Sequence, residues 1–313
     1  MADKPSRGLV LYGDGLAQFI DESHTHIHSL ASKASCGFLS LPNAPPSESE
    51  DERMVREFAL LVDADNAYQD MSTEKSVLSP TISQRFMGMK AAVITSNHSL
   101  QSFGSKHGFT VLPFEYFSGN DKLSSESSFK DLTSELLKLL GFQEGKTVEA
   151  SQFDLVIFHI TANEFINDSS SEAVKCGTRY LNSMVEEIMS IAKPGSEIGS
   201  RLHLSLVMSY GNISKIDSTN LSVLVPVDEM NSDLSMLVPR QSYAMRGVKP
   251  RDSVRHHCPM LIAQWQYAVT RKDTADTFSF QEFKEHGGNL VIPVDRFIHE
   301  VAFKLWKAAK YGA

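Results

Sequence analysis

The chain has 313 residues, of which 42% are hydrophobic and 22% are charged, as in a globular protein with a sizeable core. Its 30 Lys and Arg against 38 Asp and Glu give a net charge of −8, which excludes a global basic surface for nucleic acid. Three widely spaced cysteines without a CxxC pair argue against a disulfide framework. No apolar run approaches the roughly 18 residues of a membrane helix, and the N-terminus lacks a signal-peptide core. We therefore expect no membrane insertion and a cytoplasmic location.

Strands and helices alternate along the predicted chain. Short apolar runs predict buried strands, which lie at 9–12, 90–95, 109–113, 154–160, 202–208 and 259–263. Between them, helical patterns are predicted at 30–34, ending at Cys36-Gly37, and at 96–107, 129–140, 172–192 and 296–310. The Pro-, Ser- and acid-rich segment 42–53 is predicted as an exposed loop. This alternation predicts an α/β fold with a central sheet and helices on both faces.

Candidate site residues follow the predicted strands, because open α/β sheets place their sites at the carboxyl ends of the strands. Asp14 follows the first strand between two glycines, which would let its carboxylate approach a cation or a phosphate closely. An aspartate that caps the next helix fits the same pattern, and the sequence leaves both interpretations open. Polar residues also follow three later strands, at 95–98, 161–164 and 209–212.

Two further patterns could indicate a metal site or a nucleophile. His24, His26 and His28 could ligate zinc from one face of a strand, but the segment favours a helix start, where His26 points away. Ser47 and Ser49 could act as nucleophiles, although acid-rich serine loops are usually solvated or phosphorylated. The sequence contains no GxSxG, GxxxxGK[ST] or HExxH motif, and no GxGxxG in a strand–helix context.

Several segments, in order, resemble the cofactor-independent phosphoglycerate mutases of the alkaline phosphatase superfamily, especially the archaeal type. They are GLVLYGDGLAQFID, HIHSLASKASCGFLSLPNAPPS, MKAAVITSNHSLQSFGSKHGFTVLP, DLVIFHITANEF, LHLSLVMSYGN and HHCPMLI. The resemblance implies an alkaline-phosphatase-like, mixed and mostly parallel sheet in a single domain spanning 1–313. It also implies two divalent metal ions that hold a phosphoryl group, with a serine or threonine nucleophile.

Carried over position by position, the resemblance places the first metal-binding aspartate on Asp14 and the nucleophile on Ser47 or Ser49. The remaining ligand positions of the family fall on residues of other types, namely Asn163, Asn167, Ser209, Tyr210 and Ser253. Asparagine offers a neutral oxygen, but serine and tyrosine cannot balance two dications. Without the metals, a phosphoryl transition state loses its main electrostatic stabilisation.

The inserted domain with which the mutases bind their substrate is also expected to be reduced or absent in this sequence. Only a short insertion around 52–88 fills its place, and it lacks an arginine cluster that would clamp two phosphates. Arg53, Arg56 and Arg85 are the arginines of this interval.

Three hypotheses follow from these observations. The first is a non-catalytic relative that acts by binding a partner or ligand, with no cofactor expected. The second is an active phosphomutase or phosphohydrolase with a rearranged site and two Mn, Zn or Mg ions. The third is an unrelated α/β protein. An unknown protein partner fits the first hypothesis, and the acidic segment 48–53 is a candidate contact for a basic one.

Overall fold

The fold was analysed in a computed structural model, which describes residues 6–45, 47–65, 80–114, 117, 126–148, 151–161, 170–211, 243–251, 253–255, 257–267, 271–287 and 291–309. The strands are β1 (Arg7–Asp14), β2 (Ser35–Ser40), β3 (Ala91–Thr95), β4 (Thr110–Pro113), β5 (Phe142–Gln143), β6 (Lys146–Thr147), β7 (Leu155–Thr161), β8 (Leu202–Met208), β9 (Met245–Arg246), β10 (Lys249–Pro250), β11 (Met260–Gln266) and β12 (Val291–Pro293). The α-helices are α1 (Thr25–Ala31), α2 (Glu50–Leu61), α3 (Ile82–Arg85), α4 (His98–Lys106), α5 (Glu126–Leu139), α6 (Ser170–Ile191), α7 (Glu197–Arg201), α8 (Phe280–His286) and α9 (Phe297–Lys304).

Eight of these strands form one central sheet in the order β12-β2-β11-β8-β1-β7-β3-β4. Every neighbouring pair in it is parallel except the two pairs that β11 makes with β2 and β8. The sheet is therefore mixed and mostly parallel, as predicted from the sequence. Each of the six predicted strands corresponds to a strand of this sheet. Five of them are largely buried apolar runs, whereas β4 lies at the edge of the sheet and is partly exposed.

The central strand β1 carries Asp14 to the carboxyl edge of the sheet. β1 pairs in parallel with β7 on one side and with β8 on the other, so that Asp14 lies opposite Thr161. Ser209 directly follows β8, whose last residue pairs with Gly13. The ends of three strands thus bring residues that are far apart in sequence to one place.

The alternation of side chains along β1 divides the core into two layers. Leu9 and Leu11 pack in the layer that contains buried residues of α1, α5, α6 and α8. Val10 and Tyr12 pack in the other layer, with buried residues of α2, α4 and α9. Asp14 follows Tyr12 by two residues and therefore belongs to the same face of the sheet as α2.

Helix α2 begins inside the segment that the sequence analysis predicts as an exposed loop. Ser49 is its N-cap and forms a reciprocal capping box with Glu52, and three acidic residues occupy the first turn, where the helix dipole favours negative charge. The prediction of an exposed loop over 42–53 is thus wrong for residues 50–53, which are the start of a helix. This shift places Arg53 on a helix that packs against the sheet.

Two other predicted boundaries are wrong. The helix expected at 30–34 is α1, which ends at Ala31, and Cys36 and Gly37 lie inside β2 because they pair with Ala263 and Ile262 of β11. The last helix, α9, ends at Lys304 and not at 310, and Trp306 adopts a positive φ of 63° and is 62% exposed. Within the described ranges, no helix has both the length and the apolar character that crossing a bilayer requires.

Candidate functional site

Asp14 is buried at the carboxyl edge of the sheet, with 2% of its surface exposed. Its Oδ1 accepts a hydrogen bond from Ser209 Oγ at 2.5 Å, and the hydroxyl of Tyr12 lies 3.4 Å from the same oxygen. Ser209 Oγ in turn accepts a hydrogen bond from the backbone N–H of Gly15 at 2.9 Å. A buried carboxylate requires a compensating cation in addition to these neutral donors.

The compensating cation is the guanidinium of Arg53. Its two terminal nitrogens donate to both carboxylate oxygens of Asp14, over 2.9 Å to Oδ1 and 2.8 Å to Oδ2. The side chain of Arg53 is 7% exposed and that of Asp14 is 1% exposed, so the pair is almost fully desolvated. This two-pronged geometry is the strongest type of carboxylate–guanidinium contact.

Further charged groups on α2 surround this pair. Arg53 also binds Glu57 at 2.9 Å and Glu50 at 2.7 Å on the same helix. Glu57 has 0% exposure, and its other carboxylate oxygen lies 3.5 Å from Arg255 and 3.8 Å from Arg56. We call Asp14, Arg53, Glu57, Arg56 and Arg255 the buried network. It joins β1, α2 and the segment before β11 through charge pairing.

His159 borders the buried network from the neighbouring strand β7. Its Nδ1 is 2.9 Å from Thr95 Oγ1, which also accepts a hydrogen bond from Asn97 N–H at 3.1 Å. Its Nε2 has no hydrogen-bond partner and lies 3.9 Å from Asp14 Oδ2, a distance too long for a hydrogen bond. His159 is fully buried, with 0% exposure.

The environment shifts the pKa values of the two carboxyl groups in opposite directions. Burial acts to raise the pKa of Asp14, but the Arg53 guanidinium outweighs it, with His159 assisting, and holds that pKa well below its usual range. Burial raises the pKa of Glu57 despite the arginines around it. Of the two carboxyl groups, Asp14 is therefore the one whose charged form the site favours.

Two glycines allow the loops at the strand ends to touch. Gly15 and Gly211 have positive φ values of 73° and 69°. A Cβ atom on Gly211 would lie 3.0 Å from Gly15 Cα, which is closer than side chains normally approach. Glycine at these two positions therefore permits the close approach of the loops that follow β1 and β8.

Neither candidate nucleophile contacts Asp14 or His159 through the hydrogen bonds of the described residues. Ser49 is the N-cap of α2, and its Oγ lies 2.7 Å from Glu52 Oε2 while accepting the backbone N–H of Glu52 at 3.3 Å. Ser47 lies in an exposed turn before the helix. The structure thus gives Ser49 a capping contact and gives Ser47 no contact with the buried network.

The other residues carried over from the resemblance differ in their placement. Ser209 contacts Asp14 directly, and Tyr210 is buried beside it, with burial raising the pKa of its phenol. Ser253 is exposed, and its backbone carbonyl accepts a hydrogen bond from Asn43. Asn163 and Asn167 lie outside the described residues.

The three histidines near the N-terminus do not form a shared metal site. His24 directly precedes α1, as the favoured helical interpretation predicted, and its Nδ1 is 2.9 Å from Asp21. His26 lies 3.3 Å from Glu186, whereas His28 accepts a hydrogen bond from the backbone N–H of Phe278. His24 and His28 both contact the backbone carbonyl of Asp21, at 3.2 and 2.9 Å, whereas His26 faces Glu186.

The described residues do not fit a pair of divalent metal ions at the strand ends. Both oxygens of Asp14 are already bound to a guanidinium, and Ser209 uses its hydroxyl on the same carboxylate. Tyr210, with its raised phenol pKa, is neutral, and Ser253 is exposed. Divalent ions require anionic oxygens or neutral imidazoles with open lone pairs, and this arrangement offers too few.

In the part of the chain that the structure describes, one group of side chains has metal-ligand spacing. It consists of Glu282, Glu285 and His286 on α8. This helix packs in the core layer on the opposite face of the sheet from Tyr12. The group is therefore separate from Asp14.

Comparisons with known proteins give similarities of structure only. No protein-family model and no curated protein matches the sequence. The PH0037 protein from Pyrococcus horikoshii matches with a TM-score of 0.54 at 10% identity, over 99% of this chain and 100% of that one. The lipoteichoic acid synthase LtaP from Listeria monocytogenes matches with a TM-score of 0.50 at 13% identity, over 87% of this chain and 68% of that one. The cofactor-independent phosphoglycerate mutase from Thermoplasma acidophilum matches with a TM-score of 0.49 at 9% identity, over 96% of this chain and 100% of that one.

The chain has an alkaline-phosphatase-like fold. The predicted resemblance is thereby confirmed at the level of the fold, and its low identity agrees with a distant relationship. This likeness of fold argues against the third hypothesis, of an unrelated α/β protein. Similarity at these identities does not transfer an activity from the relatives to this chain.

The sequence analysis missed several of the residues that surround Asp14 in the structure. The sequence analysis names Arg53 only among arginines that do not form a phosphate-clamping cluster, and not as the partner of Asp14. His159 and Glu57 were not singled out. The signals were a histidine inside the apolar run LVIFHIT, and an Arg–Glu pair at the i, i+4 spacing that helices favour.

Proposed function

We propose that this protein is a non-catalytic relative of the metal-dependent alkaline phosphatase superfamily and acts by binding a partner or a ligand. One observation carries the proposal: the Arg53 guanidinium binds both oxygens of Asp14 in a buried pair. Asp14 is the position to which the resemblance assigns a metal-binding carboxylate. An internal cation at this position supports a site that needs no metal.

The charge inventory supports the same proposal. Metal-dependent phosphoryl transfer relies on positive charge that is free to face the phosphoryl oxygens. In the buried network, Arg53 faces Asp14 and Glu57, Arg56 binds Glu48 at 2.5 Å, and Arg255 donates to the backbone carbonyl of Cys258 at 2.6 Å. Each described guanidinium near the site thus has an internal acceptor.

A surface feature supports a binding role. The hairpin of β9 and β10 exposes Met245 at 45% and Val248 at 91%. Arg246 and Arg251 hold this hairpin in place through Asp63, at 3.1 Å, and Asp295, at 2.9 Å. Under this proposal, the exposed side chains of Met245 and Val248 on the anchored hairpin contact the protein partner.

The test is elemental analysis of the purified native protein together with an assay on a generic aryl phosphate and on phosphoglycerate. We expect less than one-tenth equivalent of Mn, Zn or Mg, and turnover no higher than that of Asp14→Ala. Two equivalents of metal, with turnover that Asp14→Ala abolishes, would instead establish the alternative: an active metal-dependent phosphomutase or phosphohydrolase with a rearranged site.

A further inference from the structure

A second buried polar cluster lies at the amino edge of the sheet, at the opposite end of the strands from Asp14. His203 is the second residue of β8, and its side chain is 1% exposed. It pairs in register with Gly8 of β1, so both residues belong to the same face of the sheet. A Cβ atom on Gly8 would lie 2.9 Å from Cδ1 of Leu305, the residue that follows α9. The end of α9 therefore packs on the sheet beside His203.

The side chains around His203 form a chain of hydrogen bonds that runs in one direction. Lys304, the last residue of α9, donates from Nζ to Gln264 Oε1 of β11 at 3.3 Å. An ammonium can only donate, so this contact turns the amide NH2 group of Gln264 toward β8. There its Nε2 lies 3.3 Å from Ser205 Oγ and 3.4 Å from His203 Nε2. Ser205 Oγ, which accepts from Gln264, has its own proton for His203 Nε2, 3.2 Å away.

This hydrogen-bond chain fits a neutral imidazole and opposes a charged one. Two donors face His203 Nε2, so Nε2 is the acceptor and the single ring proton is on Nδ1. Among the described residues, Nδ1 has no hydrogen-bond partner. A second proton on the ring would point from Nε2 at the NH2 group of Gln264, and the charged ring would be buried with its Nδ1–H unpaired.

The charges near His203 act in the same direction. From α9 it faces the ammonium of Lys304, whereas the facing residues of β1, β8 and β11 carry no charge. Glu300, one turn earlier on α9, favours the charged form of Lys304. Burial lowers the pKa of His203 well below its ordinary value, and Lys304 lowers it further. The folded protein therefore holds His203 neutral.

We propose that His203 is a pH-sensitive switch at the end of α9: with a neutral ring this end stays packed on the sheet, and with a protonated ring it detaches. Detachment admits water to the ring, which then takes up a proton near its ordinary pKa of about 6.5. The open state thus binds the proton more readily than the closed state, and opening is favoured as the pH falls below about 6.5. The inference goes beyond the proposed function, since it concerns the other edge of the sheet and does not depend on whether the protein is catalytic.

The test is hydrogen exchange of three full-length proteins, wild type, His203→Gln and His107→Gln, at pH 7.5 and pH 5.5. Each observed rate is divided by the intrinsic rate at that pH to give the protection of the amide. Glutamine does not titrate, and its Oε1 can replace Nε2 as the acceptor. His107→Gln is the matched control, because His107 is also a buried histidine whose pKa is lowered by burial, but its ring packs on Phe103 of α4.

In wild type, we expect the protection of the α9 amides to fall about ten-fold between pH 7.5 and pH 5.5, because the lower pH is about one unit below the pKa of an exposed imidazole. His203→Gln should abolish this loss, and His107→Gln should retain it. The α4 amides should respond to pH equally in wild type and in His203→Gln, since local opening of α4 leaves His203 buried.

An α9 protection that does not fall in wild type, or that falls equally in His203→Gln, would overturn the inference. A loss at α4 that depends on His203 as strongly as the loss at α9 would also overturn it, because His203 would then act on global stability alone. If His203→Gln does not fold, His203→Leu takes its place with the same expected results, because leucine fills a similar volume and cannot titrate.

Discussion

Among the residues that the structure describes, two sets of ion pairs of similar composition lie in different surroundings. The buried network centres on Asp14 and Arg53, whose side chains are 1% and 7% exposed. A second set, which we call the surface network, centres on Asp63. Asp63 lies 2.8 Å from His299 and 3.1 Å from Arg246, a residue that is 39% exposed. Removing a cation should therefore lower the free energy of unfolding strongly at Asp14 and only slightly at Asp63. At the surface, water solvates the carboxylate that has lost its partner, whereas a buried carboxylate stays uncompensated.

The sharpest test of this comparison replaces one arginine from each network. Arg53→Met leaves the Asp14 carboxylate buried without its cation, and we expect it to lower the free energy of unfolding by about 3 to 5 kcal/mol. Arg246→Met removes an exposed partner of Asp63, and we expect a loss below about 1 kcal/mol. Urea denaturation measures both. Equal losses for the two variants would contradict the comparison.

Acid provides the second test, through the depressed pKa of Asp14. The folded protein holds this pKa below the unfolded value of about 3.9, so the unfolded state binds the proton more readily as the pH falls. The stability from Asp14 is complete above that value and is lost progressively below it. Glu57 does not add to this loss, because burial raises its pKa in the folded state.

We therefore expect the free energy of unfolding of wild type to fall more steeply below about pH 4 than that of Asp14→Asn. Urea titrations of both proteins from pH 7 downward measure the two slopes. If the free energy of unfolding falls with pH at the same slope in both proteins, Asp14 is not the residue whose protonation destabilises the fold in acid.

A smaller effect is expected at the hydroxyl that links β8 to Asp14. Ser209→Ala leaves the Gly15 N–H without its acceptor and removes one of the donors to Asp14 Oδ1, which keeps its hydrogen bond from Arg53, and the change should cost about 1 to 3 kcal/mol. Ser200→Ala is the control, because Ser200 Oγ donates to the Glu197 carbonyl within the short helix α7, away from Asp14. The urea midpoint of Ser209→Ala should lie below that of Ser200→Ala. If Ser209→Ala unfolds at the wild-type urea concentration, these contacts add no stability.

The two serines near the start of α2 give the smallest expected effects. Ser49→Ala removes the N-cap and should cost about 1 kcal/mol, whereas Ser47→Ala should change the free energy of unfolding by less than about 0.5 kcal/mol. Thermal unfolding separates the two. A role for either serine as a nucleophile would instead appear as aryl phosphate turnover that the alanine variant loses.

Much of the fold was predictable because most of its strands correspond to local apolar runs in the sequence. The runs LVIFHIT and LHLSLVM are apolar over a strand's length, and each is bounded by residues that end strands. β2 was missed because SCGFLS contains a glycine and two serines. It becomes a strand through pairing with β11 and β12, which no local pattern records.

The candidate site was predictable only in part. The glycines around Asp14 identified the residue, but its partner is 39 positions away and meets it only when α2 packs on the sheet. The acid-rich run before Arg53 resembled a solvated loop, although those acids are the first turn of a capped helix. Long-range pairing of this kind depends on topology and cannot be derived from one sequence.

The position of β1 in the sheet has a consequence for how the protein is made. Gly8 pairs with Leu155 on one side, and Arg7 pairs with Leu202 on the other. A ribosome adds about 5 to 20 residues per second, so the apolar strand β1 emerges roughly 7 to 30 s before β7 has been synthesised, and β8 follows later still. During that interval both edges of the strand lack their native neighbours. The nascent chain is therefore a candidate client for chaperones that shield apolar strands during synthesis.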